Sequence, residues 1–335
     1  MEMKIEGAQI FITGGAGFVG SHLADALLAR GASRVVALDN LVRGSMANIR
    51  EAEKSGRFEF VNGDVRDRAL VSQLVRGCDY VFHQAALRIT ACAADPRAGH
   101  EVMLDGTFNV LEAAVEHKVK KLVAASSASV YGEPDTLPMD EKSPYNNRTL
   151  YGAAKIALEH LLRSFNDMYG LPYVALRYFN LYGPRMDMTG VYTEVMVRWL
   201  DRIDAGEAPL IFGTGEQSMD FVSIEDCVRA NILALESSVS DDVFNVATGV
   251  DTSLLQLCHL LLRLKGREDL KPEFREERKT NPVTRRRGGT EKAREVLGFS
   301  ATMSLEEGLR GLLAWRAKER EAIAQPPSVS APSSV

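Results

Sequence analysis

QIFITGGAGFVGSHLADALLAR, residues 9–30, is the stretch whose reading decides the fold. Gln9–Thr13 is a short run of apolar and β-branched residues, the pattern of a buried strand. Gly14, Gly17 and Gly20 follow, and then Ser21–Arg30 with the spacing of an amphipathic helix. Strand, glycine turn and helix in that order form the context a dinucleotide-binding turn requires. Gly14 permits the tight turn, Gly17 lets the backbone approach a pyrophosphate, and Gly20 lets the helix pack on the sheet. The helix N-terminus would offer free N–H groups and a positive dipole end to the phosphates. Arg34–Asp39 reads as the next strand, and Asp39 closes it 19 residues after Gly20. Its carboxylate can accept hydrogen bonds from an adenosine ribose and would repel a 2′-phosphate, which favours NAD over NADP. Arg43, close by, pulls the other way. A glycine turn in an ordinary α/β protein is the plain alternative, and the acid at the end of the second strand weighs against it.

Outward from this turn the rhythm repeats. Phe58–Gly63, Tyr80–Gln84, Lys121–Ser126 and Tyr173–Arg177 read as strands, and Ala69–Val75, Gly106–His117 and Tyr151–Tyr169 as helices. Alternation at this spacing predicts an α/β fold, a Rossmann doubly wound parallel sheet covered on both faces. Ligands of such sheets bind at the carboxyl ends of the strands. From about Asn180 proline and glycine loops appear, then a helix near Ser253–Lys265 and a basic stretch, Arg275–Arg287. The expected organisation is an NAD-binding domain over 1–178 and a smaller C-terminal α/β substrate domain over 179–322. Segments within about 220–248, namely Phe221–Ile224 and Val243–Val246, are expected to return to the main sheet. The Pro- and Ser-rich end, residues 323–335, is expected to be disordered.

Composition excludes little but points one way. With 45% hydrophobic and 25% charged residues the chain is an ordinary globular one. A formal net charge of −5 gives no reason to expect nucleic acid or an anionic membrane as partner. No apolar run reaches the ~18 residues of a membrane span, and the N-terminus lacks the pattern of a signal peptide. Cys78, Cys92, Cys227 and Cys258 are scattered without metal-ligand spacing, so they read as buried thiols and no metal is expected. A cytoplasmic enzyme fits these features.

Tyr151 and Lys155, in YGAAK, share one helix face four residues apart. A packed Tyr beside a solvated Lys would look the same, but the glycine loop gives the pair a ligand to face. A free phenol of pKa about 10 is only ~0.1% ionised at neutral pH. Lowering it three units takes about 4 kcal/mol. One ammonium at ~5 Å and an effective dielectric of ~20 supplies roughly 3 kcal/mol, and an oxidised nicotinamide could supply the rest. The pair is thus suited to making a general base beside NAD. Asp64, in GDVRD, ends the third strand, either near the adenine or as cap of the next helix.

TGGAGFVG, DN at 39–40, GDV at 63–65, HQAAL at 83–87, SSASVYG at 126–132, YGAAK and RYFNLYGPR at 177–185 occur in this order. As a set they resemble the extended short-chain dehydrogenase/reductase family over about residues 8–322, nearest to its nucleotide-sugar epimerases of the UDP-glucose 4-epimerase type. The resemblance implies tightly held NAD, a C-terminal domain gripping the nucleotide diphosphate, and a homodimer built on a four-helix bundle. It implies Ser127, Tyr151 and Lys155 as catalytic; Ser126 and Ser129 are neighbours, and the choice of Ser127 rests on the resemblance. Phe18, Val19, Asp39, Asn40, Asp64, Val65, Gln84, Ala85, Ala86, Arg88 and Phe179 would line the cofactor site. Arg88, Asn180, Phe212, Lys279 and Arg286 would join Ser127 and Tyr151 at the sugar nucleotide.

Dehydratases resembling this chain carry an Asp–Glu pair after the serine, and decarboxylases a Glu in that turn. Here Ala128 and Ser129 stand there. Redox at one carbon is what remains, so C4 epimerisation of an NDP-hexose is expected. An atypical dehydratase or reductase of the same family and a non-catalytic NAD-binding regulator are the alternatives. Three positions depart from the pattern. Met103 replaces an Asn in MLDGT, removing a polar contact near the nicotinamide end. Met219, in SMDFV, replaces an Arg, removing a phosphate contact. Arg286 stands where relatives carry Tyr, Ser or Cys beside the sugar. It faces a polar or acidic group of the hexose, or else a phosphate or solvent.

Overall fold

Thr13 ends its strand level with His83 on one side and Leu38 on the other, and this register lines up the strand ends on which the site is built. The computed structural model describes residues 3–188, 195–276 and 284–324. In chain order these form β1 (Gln9–Thr13), α1 (Phe18–Ala29), β2 (Arg34–Asp39), α2 (Met46–Glu53), β3 (Phe58–Asn62), α3 (Arg68–Val75) and β4 (Tyr80–His83). Then come α4 (Ile89–Ala94), α5 (Pro96–His100), a π-helical turn (Glu101–Asp105), α6 (Gly106–Glu116), β5 (Lys121–Ser127), a 3₁₀ turn (Ala128–Val130), α7 (Leu150–Tyr169) and β6 (Tyr173–Tyr178). The second part holds β7 (Asn180–Tyr182), α8 (Val195–Asp204), β8 (Leu210–Phe212), β9 (Ser218–Ser223), α9 (Ile224–Glu236) and β10 (Asp242–Val246). It closes with β11 (Asp251–Ser253), α10 (Leu254–Leu264), β12 (Glu273–Arg275), α11 (Glu291–Leu297) and α12 (Leu305–Ala324).

Seven strands form one parallel sheet in the order β10-β6-β5-β4-β1-β2-β3. The order reverses direction between β1 and β4, the crevice where such sheets take ligands. The interior strands are apolar on both faces because helices cover both. One core packs α1 and α9 on the sheet; the other packs α3, α6 and α7 on the opposite face. A third core, with Trp199, Ile211, Leu257 and Leu309, belongs to the second lobe.

Two sequence expectations need correction. Val243–Val246 lies in β10 at the sheet edge, but Phe221 and its neighbours do not join the main sheet. They form β9, which pairs parallel with β7 and antiparallel with β11 in a separate three-stranded sheet. The cause is local. β9 carries the fully buried Asp220, whose carboxylate accepts from Thr248 N, Thr248 Oγ1, Gly249 N and Gly288 N at 2.6–3.2 Å. That acid needs loops around it, which an apolar interior strand of the main sheet would not provide. At the C-terminus α12 runs through Ala324, so residues 323 and 324 are helical; residues 325–335 of the expected tail lie outside the described residues.

Candidate active site

The glycine loop is tight for steric reasons. Gly14 has φ +69°, and a Cβ there would meet Ala85 N at 2.9 Å, so the exits of β1 and β4 touch. A Cβ on Gly20 would come within 2.1 Å of Gly14 O, so only glycine lets α1 approach the turn. Gly17 caps α1 without a side-chain hydrogen bond, leaving the first-turn N–H groups open to an anion. Thr13 Oγ1 accepts from Gln84 N and Ala85 N at 3.1 Å and pairs with His83 Nδ1 at 2.8 Å. His83 Nε2 meets Thr107 Oγ1 at 3.0 Å, and burial pushes its pKa down to about 3, so this imidazole is neutral scaffolding. Sequence reading placed HQAAL at the cofactor but missed this role.

Asp39 is 8% exposed. One oxygen accepts from Ala16 N at 3.1 Å and the other from Leu41 N at 2.8 Å. Burial raises its pKa, and these backbone donors oppose the rise. Arg43 lies 3.7 Å from Asp187. Asp64 does not cap the next helix; Asp67 does, accepting from Leu70 N. Asp64 instead receives Asn40 Nδ2 and three donors of Arg66, all at 2.9 Å, which hold its carboxyl down at about 2.

Gly14, Gly17, Gly20, Asp39 and Asn40 border one cleft of about 820 Å³. Of the residues expected at the cofactor, Gly14, Gly17, Phe18, Val19, Gly20, Asp39, Asn40, Val65, Gln84, Ala85, Ala86, Arg88, Tyr151 and Phe179 line it. Ser127 and Asn180 line it as well. Asp64, Lys155, Phe212 and Arg286 are not on its wall, and Lys279 lies outside the described residues. The cleft also takes in Ser126, Arg185 and, from α12, Trp315 and Glu319, which sequence reading did not single out. The glycine turn, open helix end and ribose-side acid together fit a dinucleotide.

At the other end stand the catalytic candidates. Thr149 Oγ1 accepts from Gly152 N at 3.1 Å and starts α7, fixing Tyr151 in its first turn. Ser127, at the end of β5, stands close enough to Tyr151 for its hydroxyl to oppose the rise of the phenol's pKa. Lys155 Nζ donates to Ala125 O at 2.6 Å and lies 5.9 Å from the centre of the Tyr151 ring. The electrostatics differ from the expectation of a phenol lowered chiefly by Lys155. Burial raises the Tyr151 pKa; the Ser127 hydroxyl and the Arg286 charge work against that rise. Burial also lowers Lys155 to about 8, so this ammonium is itself costly to keep charged. Ala128 and Ser129 are buried in the 3₁₀ turn, so no carboxylate sits beside Ser127 there.

Beneath the pair lies a polar cluster that sequence reading missed. Glu159 is one turn beyond Lys155, in the series 151, 155, 159 down one helix face. That spacing was the available signal. Glu159 accepts Ser126 Oγ at 2.5 Å and Arg177 Nε and NH2 at 2.9 and 2.7 Å. Arg177 continues to Tyr131 OH and Tyr145 OH, both at 2.8 Å, and Tyr131 to Asn245 Oδ1 at 2.7 Å. Met103, in the π-helical turn, packs with Cys92 and Ala154, and its Sδ accepts Leu87 N at 3.3 Å. The polar contact expected to be lost there is thus partly replaced by sulfur.

Residues 10–247 match the model of the NAD dependent epimerase/dehydratase family. The chain belongs to this family. A UDP-glucose 4-epimerase of Mycolicibacterium smegmatis is 37% identical over 301 residues, 89% of this chain and 95% of the relative. A putative UDP-glucose 4-epimerase of Methanocaldococcus jannaschii is 35% identical over 312 residues, 91% of this chain and 97% of that one. The solved UDP-glucose 4-epimerase of Thermotoga maritima with UDP-glucose superposes with a TM-score of 0.88 at 34% identity, covering 93% of this chain and 99% of the other. The UDP-glucuronic acid 4-epimerase of Bacillus cereus, solved with UDP-glucuronic acid and NAD, gives 0.85 at 29% identity, covering 93% and 99%. The chain is therefore an NAD-dependent enzyme of this family, and the fold class expected from the sequence is the one found. No helix among the described residues is long and apolar enough to cross a membrane.

Proposed function

We propose that this enzyme inverts C4 of a nucleotide-diphosphate hexose, a UDP-sugar, through a 4-keto intermediate. The observation that carries the reading is the Ser127–Tyr151 pair followed by Ala128 and Ser129, with no carboxylate in the turn to expel a second group. When bound, NAD supplies the reversible two-electron step and, oxidised, a positive ring that favours the phenolate. Tyr151 takes the proton of the sugar 4-hydroxyl and later returns it to the same oxygen. Ser127 holds that oxygen and shares the proton. Lys155 stands 5.9 Å from the centre of the Tyr151 ring, and Ala125 O fixes where its ammonium stands. Inversion requires C4 to receive hydride on the face opposite the one that lost it, so the 4-keto sugar must turn over while its oxygen stays within reach of Tyr151 and Ser127.

The cofactor belongs with residues 1–178, which supply six of the seven strands of the main sheet, and the nucleotide diphosphate with the second lobe, through Asn180, Phe212 and Lys279. The reading includes a cytoplasmic homodimer built on α6 and α7, where Phe108, Met168 and Tyr169 are 41%, 69% and 55% exposed. Incubation with UDP-glucose, UDP-N-acetylglucosamine and UDP-glucuronate, followed by NMR of the products, tests the function. C4 epimers without net NADH formation are expected; loss of water or a net change in NADH would move the enzyme to the dehydratase or reductase side. Tyr151→Phe should lower turnover by roughly 10²–10⁴-fold while NAD stays bound, read by absorbance of the purified variant.

A further inference from the structure

Two residues at the end of β2 give opposite instructions about the cofactor. Asp39 suits a free ribose 2′-hydroxyl, and a nearby arginine, Arg43, suits a 2′-phosphate. Both line the cleft, and the loop between β2 and α2 keeps them together. Asp39 Oδ1 accepts from Leu41 N at 2.8 Å, and Leu41 has φ +58°, so the chain turns back at once. A Cβ on Gly44 would meet the Asp39 carboxylate at 2.6–2.8 Å, so the residue after Arg43 lies directly on the acid. Ser45 N and Asn48 Nδ2 then donate to Ala16 O at 3.0 and 2.9 Å, which ties the loop to the glycine turn. The backbone of Arg43 is therefore fixed at the ribose end of the site.

What stands against Arg43 comes from the second lobe. Asp187 Oδ2 lies 3.7 Å from Arg43 Nη2, longer than a hydrogen bond but close enough to offset its charge. The side chains are 19% and 35% exposed, so solvent screens the pair only in part. Asp187 lines the same cleft, and its place is set by contacts with α1. Two residues earlier, Arg185 Nη2 reaches Asp25 Oδ2 at 2.6 Å, and His22 Nε2 donates to Pro184 O at 3.0 Å. The turn before Asp187 is thus docked on the helix that begins at the glycine turn. A 2′-phosphate beside Arg43 would face two carboxylates, Asp39 and Asp187, against one guanidinium. We infer that Asp187 is a cofactor-selecting residue, which neutralises Arg43 from the second lobe and so keeps the adenosine end closed to NADP. Asp39 sets the preference for NAD, and Asp187 keeps Arg43 from undoing it. The inference concerns the nucleotide site and holds whichever sugar is turned over.

The test is competitive retention, which needs no turnover. Wild type, Asp187→Asn, Arg43→Ala and the double variant are each equilibrated with equal, saturating NAD and NADP until the bound ratio stops changing. Gel filtration removes free nucleotide, the protein is unfolded, and the released nucleotides are separated and measured. Wild type should retain mostly NAD. Asp187→Asn should raise the NADP-to-NAD ratio by about 10-fold, the lower end of what a charge-assisted hydrogen bond contributes, because the pair is partly open to solvent. Arg43→Ala should not raise the ratio, and in the double variant the gain should vanish. An unchanged ratio in Asp187→Asn would overturn the inference, as would a wild type that holds both nucleotides equally. A gain that survives Arg43→Ala would hand the 2′-phosphate to another cation of the cleft, Arg50 or Arg185, and refute the role given to the pair. Asp187→Ser repeats the measurement should the Asn variant fail to fold, and a melting curve of each variant confirms that the ratios are read on folded protein.

Discussion

Arg177 and Arg286 are both buried arginines at the catalytic end, and their surroundings are opposite. Arg177 is 1% exposed and spends its donors on Glu159, Tyr131, Tyr145 and Glu141 O. Arg286 has an unpaired Nε and no carboxylate partner among the described residues. A cation whose partners are all in the protein holds the protein together; one whose partner is missing is held by the protein for something else. The first arginine belongs to the wall behind Lys155; the second is a buried cation without an ion-pair partner among the described residues.

Opposite signs in stability follow. Arg177→Met leaves the Glu159 carboxylate buried without its cation and should cost about 3–5 kcal/mol, read by urea denaturation. Glu159→Gln should cost much of the same, and the double variant less than the sum of the two, since they break one pair. If the single changes proved harmless, the contrast between the two arginines would disappear. Arg286→Met should go the other way. Removing an unpaired buried charge is expected to stabilise the substrate-free enzyme by roughly 1–3 kcal/mol. A loss of stability of that size would mean that Arg286 is structural after all.

Lys121 offers the smallest and sharpest test, because it lies between the two cases. It is fully buried, and its ammonium donates to Ser237 O at 2.8 Å and Ser237 Oγ at 3.2 Å, both neutral acceptors. Burial pulls its pKa from 10.5 to about 8. The unfolded chain therefore binds more protons between those values, so this residue's contribution to stability improves as pH rises from about 8 towards 10.5. Lys121→Met should lack that rise. Denaturation at pH 7.5 and 9.5 should bring wild type closer to the variant at the higher pH; parallel curves would show that Lys121 does not titrate there.

The sequence was most legible where chemistry forces a residue type. Gly14 and Gly20 face backbone atoms too close for any Cβ, so the turn could be read residue by residue. Strands β1 and β2 were legible to the residue because interior parallel strands are apolar throughout. Legibility failed where partners come from far along the chain. Glu159 stood in plain spacing behind Tyr151 and Lys155, yet its meaning depends on Arg177, 18 residues away on β6. β9 looked like an interior strand until the contacts of Asp220 with Thr248, Gly249 and Gly288 took it out of the main sheet. Arg286 could be singled out from the order of motifs, but an unpaired Nε exists only in three dimensions.

The segment around Arg286 also acts as a rivet. Thr284 and Arg286 bond to Ser218 of the second lobe, while Arg287 O and Gly289 N bond to Met139, in the loop between β5 and α7, at 2.8 and 2.7 Å. A hinge opening between the lobes along this line would have to break the two backbone hydrogen bonds on one side of the segment or the two on the other. Movement into and out of the cleft is then easier at its rim, past Arg185–Met188 and α12, than by parting the lobes along the 284–289 segment. Substitutions at that rim are expected to change the rate of ligand exchange without loosening the joint between the lobes.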